Sequence, residues 1–328
     1  MKERVSQIDY LKGIFILLMV IFHLKLVEIT YPLTFKAVYT FHMSAFMLIS
    51  GYLANIHKHP RAFSKSVMRY VLPYVLFEMI YVLMVYLVGK SMNANNTIDH
   101  LSVVEMLRRV ATQPTGPYWY LHTLAVCLVI YYISYKVLKL KGVNAFLLMS
   151  VALFGITRLS VGIEWKSVIY FLIGVLMNRS DKPFMEIIKP SWLALLPLGI
   201  LFCFPAYFKS WTLPGIIITL LVISFLLWTY PYSTRLMRRV FCYLGRNSLS
   251  IVVFSAIFTI LTKAVSGYFS FDPTALSFLV CATTFVVMGC LLCAWIFDKL
   301  RLSRFIFLKD KIYVPFSEIA KQTPYNEN

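Results

Sequence analysis

The sequence predicts an all-α membrane protein that crosses the bilayer about ten times and keeps both termini in the cytoplasm. Hydrophobic residues make up 59% of the 328 residues and charged residues only 14%. The apolar residues are gathered in runs of about 17–25 residues, the length of a helix that spans the hydrocarbon core. Such a chain leaves no room for a large soluble domain.

The distribution of basic residues supports this topology. With the N-terminus in the cytoplasm, the inner segments hold 22 lysines and arginines and the outer segments hold nine. This bias follows the positive-inside rule, places both termini inside and favours an even number of spans. Although the net charge is +18, the alternation argues against nucleic acid as a partner. The predicted location is the plasma (inner) membrane.

Two regions are predicted along the chain. Residues 1–300 form the membrane domain, and residues 301–328 form a basic cytoplasmic tail that lies on the inner membrane surface. The longest outer loop, 89–117, is predicted to contain a short helix from Val103 to Val110. The predicted spans are 8–28, 36–55, 68–88, 118–137, 143–160, 165–178, 192–208, 213–230, 247–266 and 274–297.

The first span carries three ionisable residues, Asp9, Lys12 and His23. Lys12 and His23 are eleven residues apart, so on one helix they return to within roughly 20° of the same face. Asp9 falls on that face as well. Asp9 and Lys12 also suit the water boundary, and His23 also suits a structural hydrogen bond. The alternative is a catalytic imidazole, because a neutral imidazole acts as a base near neutral pH.

Other polar residues interrupt the next three spans. The second span contains His42, Ser50 and Tyr52, where small residues also permit close helix packing. The third span contains Glu78, either paired with a cation or facing a cavity. Trp119 and His122 open the fourth span, where aromatic residues also occur as a membrane-interface belt. These six residues are the candidate lining of a polar ligand-binding cavity.

The loop before the third span is basic, with Lys65 and Arg69 among its cations. Charge on an inner loop is usually topological. The functional alternative is a patch that binds phosphate groups on the cytoplasmic side. Arg69 is the best candidate for such a contact, because a guanidinium binds phosphate in bidentate fashion. The six cysteines lie within or near spans, and Cys290 and Cys293 read as packing residues. We therefore expect no metal site.

These stretches together resemble the membrane acyltransferase 3 family, the integral-membrane O-acyltransferases of cell-surface sugars. The similarity covers most of the chain, and the order of the motifs is specific. Two positions depart from the family pattern: Ser66 stands where the family has an arginine, and Ser255 where it often has a histidine. The matching elements are Lys12 with His23 after ten intervening residues, Phe41-His42-Met43, Ser50-Gly51-Tyr52-Leu53, Arg69-Tyr70-Val71-Leu72-Pro73-Tyr74, Trp119-Tyr120-Leu121 and Leu244-Gly245-Arg246-Asn247-Ser248-Leu249.

The resemblance implies an acyl-CoA-dependent O-acetyltransferase. Acetyl-CoA or another acyl-CoA would be a co-substrate on the cytoplasmic side, with no bound cofactor. The acceptor would be a hydroxyl of a surface glycan or its lipid-linked precursor. His23 would act as base or acyl carrier with Asp9 and Lys12 beside it, and Lys12, Lys65 and Arg69 would hold the CoA phosphates. Membrane lipids are further partners, and a homo-oligomer is possible.

Two other classes of function are compatible with the same residues. One is a secondary transporter or lipid flippase in which His23 and Glu78 relay protons. The absence of an evident internal repeat argues against it. The other is a membrane partner or sensor without enzymatic activity, in which the polar residues are structural.

Overall fold

A computed structural model of the chain describes residues 5–88, 102–159, 162–180 and 182–322. Within these ranges the regular elements are helices and there is no strand, which confirms the all-α class. The sixteen α-helices are α1 Ser6–Phe22, α2 Lys25–Thr30, α3 Pro32–Leu53, α4 Pro60–Val88, α5 Val103–Thr112, α6 Trp119–Tyr132, α7 Gly142–Leu159, α8 Trp165–Arg179, α9 Phe184–Ile187, α10 Leu195–Phe202, α11 Leu213–Tyr232, α12 Arg235–Arg246, α13 Ser248–Val265, α14 Leu276–Lys299, α15 Leu302–Ile306 and α16 Phe316–Gln322.

Six of these helices are long and apolar enough to cross a membrane, namely α4, α6 with its flanking turns, α7, α11, α13 and α14. The chain is therefore a multi-pass membrane protein. Each of the other four predicted spans contains a helix. Helices α1, α8 and α10 have only 17, 15 and 8 residues. Helix α3 is continuous, but its sequence contains polar residues. The count of ten spans and the orientation of the termini stay predictions.

The first predicted span is two helices. Helix α1 ends at Phe22, and α2 begins only at Lys25. Between them the backbone of Leu24 is extended, with φ −78° and ψ 132°, which breaks the helical hydrogen-bond pattern. His23 is consequently the C-terminal cap of α1. The prediction of one helix over 8–28 with His23 deep inside it is wrong.

The seventh predicted span is also not a continuous helix. Of residues 192–208, only Leu195–Phe202 are α-helical, a length of about 12 Å. Pro205 opens a separate 3₁₀ turn, because proline lacks the amide hydrogen that a longer helix would need. In the outer loop, the predicted short helix is confirmed as α5. Its N-cap is Ser102, whose side chain accepts a hydrogen bond from the amide of Glu105.

Helix α1 lies inside the bundle and packs against α3, α11, α12, α13 and α14. Its crossing with α12 is especially close at Gly13 and Gly245. A Cβ atom on Gly13 would overlap the backbone of Phe241, and one on Gly245 would overlap the carbonyl oxygen of Asp9. Small residues permit such close contact of helices in a membrane. The crossing fixes the start of α1 against the end of α12.

Candidate functional site

A basic cavity of about 400 Å³ opens between the start of α1, the end of α3 and the start of α4. This volume is in the range of ligand pockets. Five cationic side chains line it, and no acidic residue of the described chain does so. The cationic residues are Lys12, Lys58, Arg246, Lys309 and Lys311.

Two of these cations are brought together by the crossing of α1 and α12. Lys12 is one residue before Gly13, and Arg246 is one residue after Gly245, so the glycine contact places both at one wall of the cavity. Arg246 also forms an ion pair with Glu318 of α16, at 2.7 Å. Asn247 then links α12 to α13.

Two further cations, Lys309 and Lys311, come from the C-terminal segment. We call residues 302–319 the C-terminal strap. Asp298, in the last turn of α14, accepts hydrogen bonds from the amides of Ile312 and Tyr313 at 3.0 and 2.9 Å. Asn247 is bonded in both directions to the backbone of Val314, at 3.0 and 2.9 Å. The strap is therefore packed against the helix bundle, and whether it also touches the membrane surface stays a prediction.

A second cavity, of about 360 Å³, lies near the end of α1 and the first half of α3. We call it the histidine cavity because His23 and His42 both line it. Trp119 and Trp211 provide aromatic surface, and the charged lining residues are Lys36, Lys166, Lys209 and Glu164. The two cavities thus lie toward opposite ends of α1, since Lys12 and His23 are separated by about 16 Å of helix.

Both histidines bond through the same ring nitrogen to a backbone carbonyl four residues earlier in the chain. His23 Nδ1 lies 2.6 Å from the carbonyl oxygen of Met19, and His42 Nδ1 lies 2.8 Å from that of Val38. A carbonyl oxygen only accepts, so in the neutral ring Nδ1 carries the hydrogen and Nε2 carries the lone pair. The two ring centroids are 6.5 Å apart. In each ring Nε2 therefore carries the basic lone pair, and in His42 this atom is buried without a hydrogen-bond partner in the described chain.

Aromatic side chains of α3 and α6, which we call the aromatic layer, lie close in sequence to residues that line the other cavity. Phe46 and Tyr120 line the basic cavity, and their ring centroids are 6.0 Å apart. The hydroxyl of Tyr120 is bonded to that of Ser50 at 2.8 Å. On the other side, Ser44 and Trp119 line the histidine cavity. Positions two residues apart in α3 and one residue apart in α6 thus face different cavities.

Of the predicted site residues, Lys12 and Ser50 line the basic cavity, and His23, His42 and Trp119 line the histidine cavity. Asp9 lines neither cavity and instead pairs with Lys12 at 3.9 Å. Its own backbone lies in the α1–α12 crossing. Asp9 is thus a neighbour of the basic cavity.

Three other predicted lining residues line neither cavity. Glu78 is buried and accepts hydrogen bonds from the amide and the hydroxyl of Thr115, the amide bond measuring 2.8 Å. Tyr52 packs on Phe184, with 5.0 Å between ring centroids. His122 Nδ1 lies 3.3 Å from the carbonyl oxygen of Gly162. In this structure their contacts are structural, and their assignment to the acceptor cavity stays a prediction.

The predicted phosphate-binding pair also lies outside the basic cavity. Lys65 is exposed on α4, and Arg69 donates to the carbonyl oxygen of Leu308 in the strap, at 3.3 Å from Nη2. Their place in the cation set is taken by residues that the sequence analysis did not select. Lys58 and Arg246 stand in segments that it noted, whereas Lys309 and Lys311 have no local signal because only long-range contacts bring the strap to the cavity.

A model of the acyltransferase domain family matches residues 5–295 of the chain. The match covers most of the sequence. It includes every residue that lines the histidine cavity and every residue that lines the basic cavity except those of the strap. The chain belongs to the acyltransferase 3 family. It is accordingly a membrane acyltransferase. Comparisons with curated proteins and with solved structures gave no match.

The acyltransferase contains no group of three or more His, Cys, Asp or Glu residues that could hold a metal ion within its described ranges. The six cysteines are free thiols. The groups that line the two cavities include imidazoles, hydroxyls, ammonium groups, one guanidinium and the carboxylate of Glu164.

Proposed function

We propose that this acyltransferase moves an acetyl or other acyl group from cytoplasmic acyl-CoA to a hydroxyl of a surface glycan or its lipid-linked precursor. The observation that carries the proposal is the pair of cavities toward opposite ends of α1, one of which is lined by Phe46 and Tyr120 of the aromatic layer. One cavity has the charge to bind a donor, and the other has the bases to activate an acceptor.

The donor end of the proposal rests on charge. Acyl-CoA carries phosphates at one end and the thioester at the end of a long pantetheine arm. Cations bind phosphate through charge-assisted hydrogen bonds, and five of them line the basic cavity. With the phosphates at its mouth, the arm would extend toward Tyr120 and bring the thioester to the aromatic layer. The positive-inside bias assigns this cavity to the cytoplasm.

The acceptor end rests on the imidazoles. Nε2 of His23 would take the proton of the sugar hydroxyl while the hydroxyl oxygen attacks the thioester carbon. The C–S bond then breaks, and the CoA thiolate leaves and takes up the proton. In the alternative route, Nε2 attacks the thioester itself, and the acyl-imidazole passes the acyl group to the hydroxyl. Both routes need the lone pair on Nε2, which the Met19 carbonyl favours by holding Nδ1–H.

His42 and Trp119 complete the proposed acceptor site. His42 Nε2 is buried without a protein hydrogen-bond partner, as expected of a group that bonds to a substrate hydroxyl. The indole of Trp119 offers an apolar face to a sugar ring. The transporter alternative gains no support, because Glu78 is bonded to Thr115 and lines neither cavity.

The test is chemical analysis of the surface glycans of a deletion strain, combined with transfer by purified protein. We expect the deletion to remove one O-acyl group and the purified protein to consume acetyl-CoA only when the matching glycan or lipid-linked sugar is present. Unchanged glycan acylation in the deletion strain, together with no binding of acetyl-CoA, would refute the proposal.

A further inference from the structure

The C-terminal strap lies beyond the part of the chain that matches the family, yet it lines the basic cavity. The family match ends at residue 295. Lys309, Lys311, Ile312 and Val314 all lie beyond that residue, and all four line the cavity. The strap therefore contributes two of the five cations of a cavity whose other walls belong to the family domain.

We propose that the strap is part of the donor site and that Lys309 and Lys311 bind phosphate at the nucleotide end of acyl-CoA. This inference rests on the proposed function. Of the remaining cations, Lys12 and Arg246 lie on α1 and α12, and Lys58 lies in the loop between α3 and α4. A CoA molecule carries a diphosphate and a separate 3′-phosphate, so it presents two phosphate groups at different positions to such a distributed set of cations.

The strap is held in place by contacts from three different helices. Asp298 of α14 accepts from the Ser303 hydroxyl at 2.5 Å as well as from the two strap amides. Asn247, between α12 and α13, holds Val314. Arg69 of α4 holds the Leu308 carbonyl, directly before Lys309. Lys309 and Lys311 lie between these anchors, so their backbone position is set before any ligand binds.

The position of the strap matches the nucleotide end of the donor. Its anchors lie at helix ends: Asp298 in the last turn of α14 and Asn247 before the first residue of α13. Phe46 and Tyr120 line the same cavity within one or two residues of Ser44 and Trp119, which line the histidine cavity. A donor with its thioester at Tyr120 therefore has its nucleotide at the level of the strap. Arg69 accordingly acts as a positioning residue, through Leu308.

The test is calorimetric titration of the full-length protein in detergent with two ligands, acetyl-CoA and acetyl-pantetheine, which has no phosphate. The test variant is Lys309→Gln with Lys311→Gln, and the matched control is Lys136→Gln with Lys141→Gln, two exposed lysines outside the cavity. We expect the test variant to weaken acetyl-CoA binding about tenfold, since it removes charge-assisted hydrogen bonds to phosphate that solvent exposure weakens.

Three comparisons decide the outcome. The control should bind acetyl-CoA as the wild type does, Lys309→Arg with Lys311→Arg should retain most of the affinity, and the test variant should bind acetyl-pantetheine as the wild type does. Asp298→Ala should weaken acetyl-CoA binding without changing the cations of the cavity. Equal acetyl-CoA affinity in the wild type and the lysine double variant would overturn the inference while leaving the proposed function intact. Wild-type protein that binds no acetyl-CoA would instead refute the donor of the proposed function.

Discussion

Trp119 and Tyr120 are consecutive residues of α6, and their side chains line different cavities. Their ring centroids are 6.3 Å apart. A donor in the basic cavity and an acceptor in the histidine cavity would thus be separated by about one side chain at this level. Phe46 completes this layer from α3, with its ring against those of Tyr120 and Phe15.

The layer gives the first prediction. Phe46→Ala should widen the passage between the two cavities that the proposed transfer requires and admit water to the thioester, so hydrolysis of acetyl-CoA in the absence of acceptor should rise. Phe204→Ala, a change of an exposed ring outside both cavities, is the control. Release of CoA thiol by the purified proteins measures the effect, and a hydrolysis rate in Phe46→Ala equal to that of the control would argue against a shared wall.

The second prediction concerns topology. Tyr268 and Phe305 are both highly exposed, and the positive-inside bias assigns them to opposite sides of the membrane. In a background with Cys203 and Cys281 replaced by serine, Tyr268→Cys should react with an impermeant thiol reagent added to intact cells, and Phe305→Cys should not. Reaction of both cysteines from outside would show that the assigned orientation is wrong.

The third prediction concerns the α1–α12 crossing. Gly245→Ala places a methyl group on the carbonyl oxygen of Asp9, and overpacking of this kind costs about 1–3 kcal/mol or more. Gly155→Ala, inside α7 with no atom within 4 Å of its new Cβ, should be neutral or stabilising, because alanine favours a helix by about 1 kcal/mol over glycine. We expect a lower melting temperature for Gly245→Ala only. Equal melting temperatures would mean that the helices do not touch at these glycines.

The fourth prediction separates a structural Glu78 from a proton relay. Glu78→Gln keeps an oxygen that accepts from the Thr115 amide, so the variant should fold and retain acyl transfer. Glu78→Ala should lower the melting temperature, because it removes the partner of a buried amide at a cost of roughly 1–3 kcal/mol. Loss of transfer in a well-folded Glu78→Gln protein would instead favour a relay role.

Local sequence patterns predicted the helical class, several spans and part of the site. The eleven-residue spacing predicted Lys12 and His23 on one face of one helix, and in the structure they line two different cavities. It did not reveal that the helix ends at His23, because the extended backbone of Leu24 has no proline or glycine signal. The position of the strap could not be predicted from local patterns either. Residues near Lys309 are bonded to Asp298, Asn247 and Arg69, which are distant in sequence.

Polar residues in a span gave the least specific signal. His42 and Glu78 are both buried and polar within apolar helices, and both were predicted to line the acceptor cavity. His42 does line the histidine cavity, whereas Glu78 holds the turn before α6 through Thr115. The difference depends on which neighbouring element supplies a partner, and periodicity along one helix does not contain that information.

We propose that the lone pair on His23 Nε2 carries the acyl transfer, and the variant His23→Gln tests this role. Glutamine retains a hydrogen-bonding side chain of similar size but cannot take up a proton as imidazole does. His59→Gln, an exposed histidine outside both cavities, is the control. The measurement is O-acylation of the surface glycan when each variant is returned to a deletion strain at wild-type protein level, with acetyl-CoA binding measured on the purified proteins. We expect His23→Gln to bind acetyl-CoA normally and to lose about 10²–10⁴-fold in transfer. A His23→Gln protein that restores acylation at the rate of the His59→Gln control would contradict this role of His23.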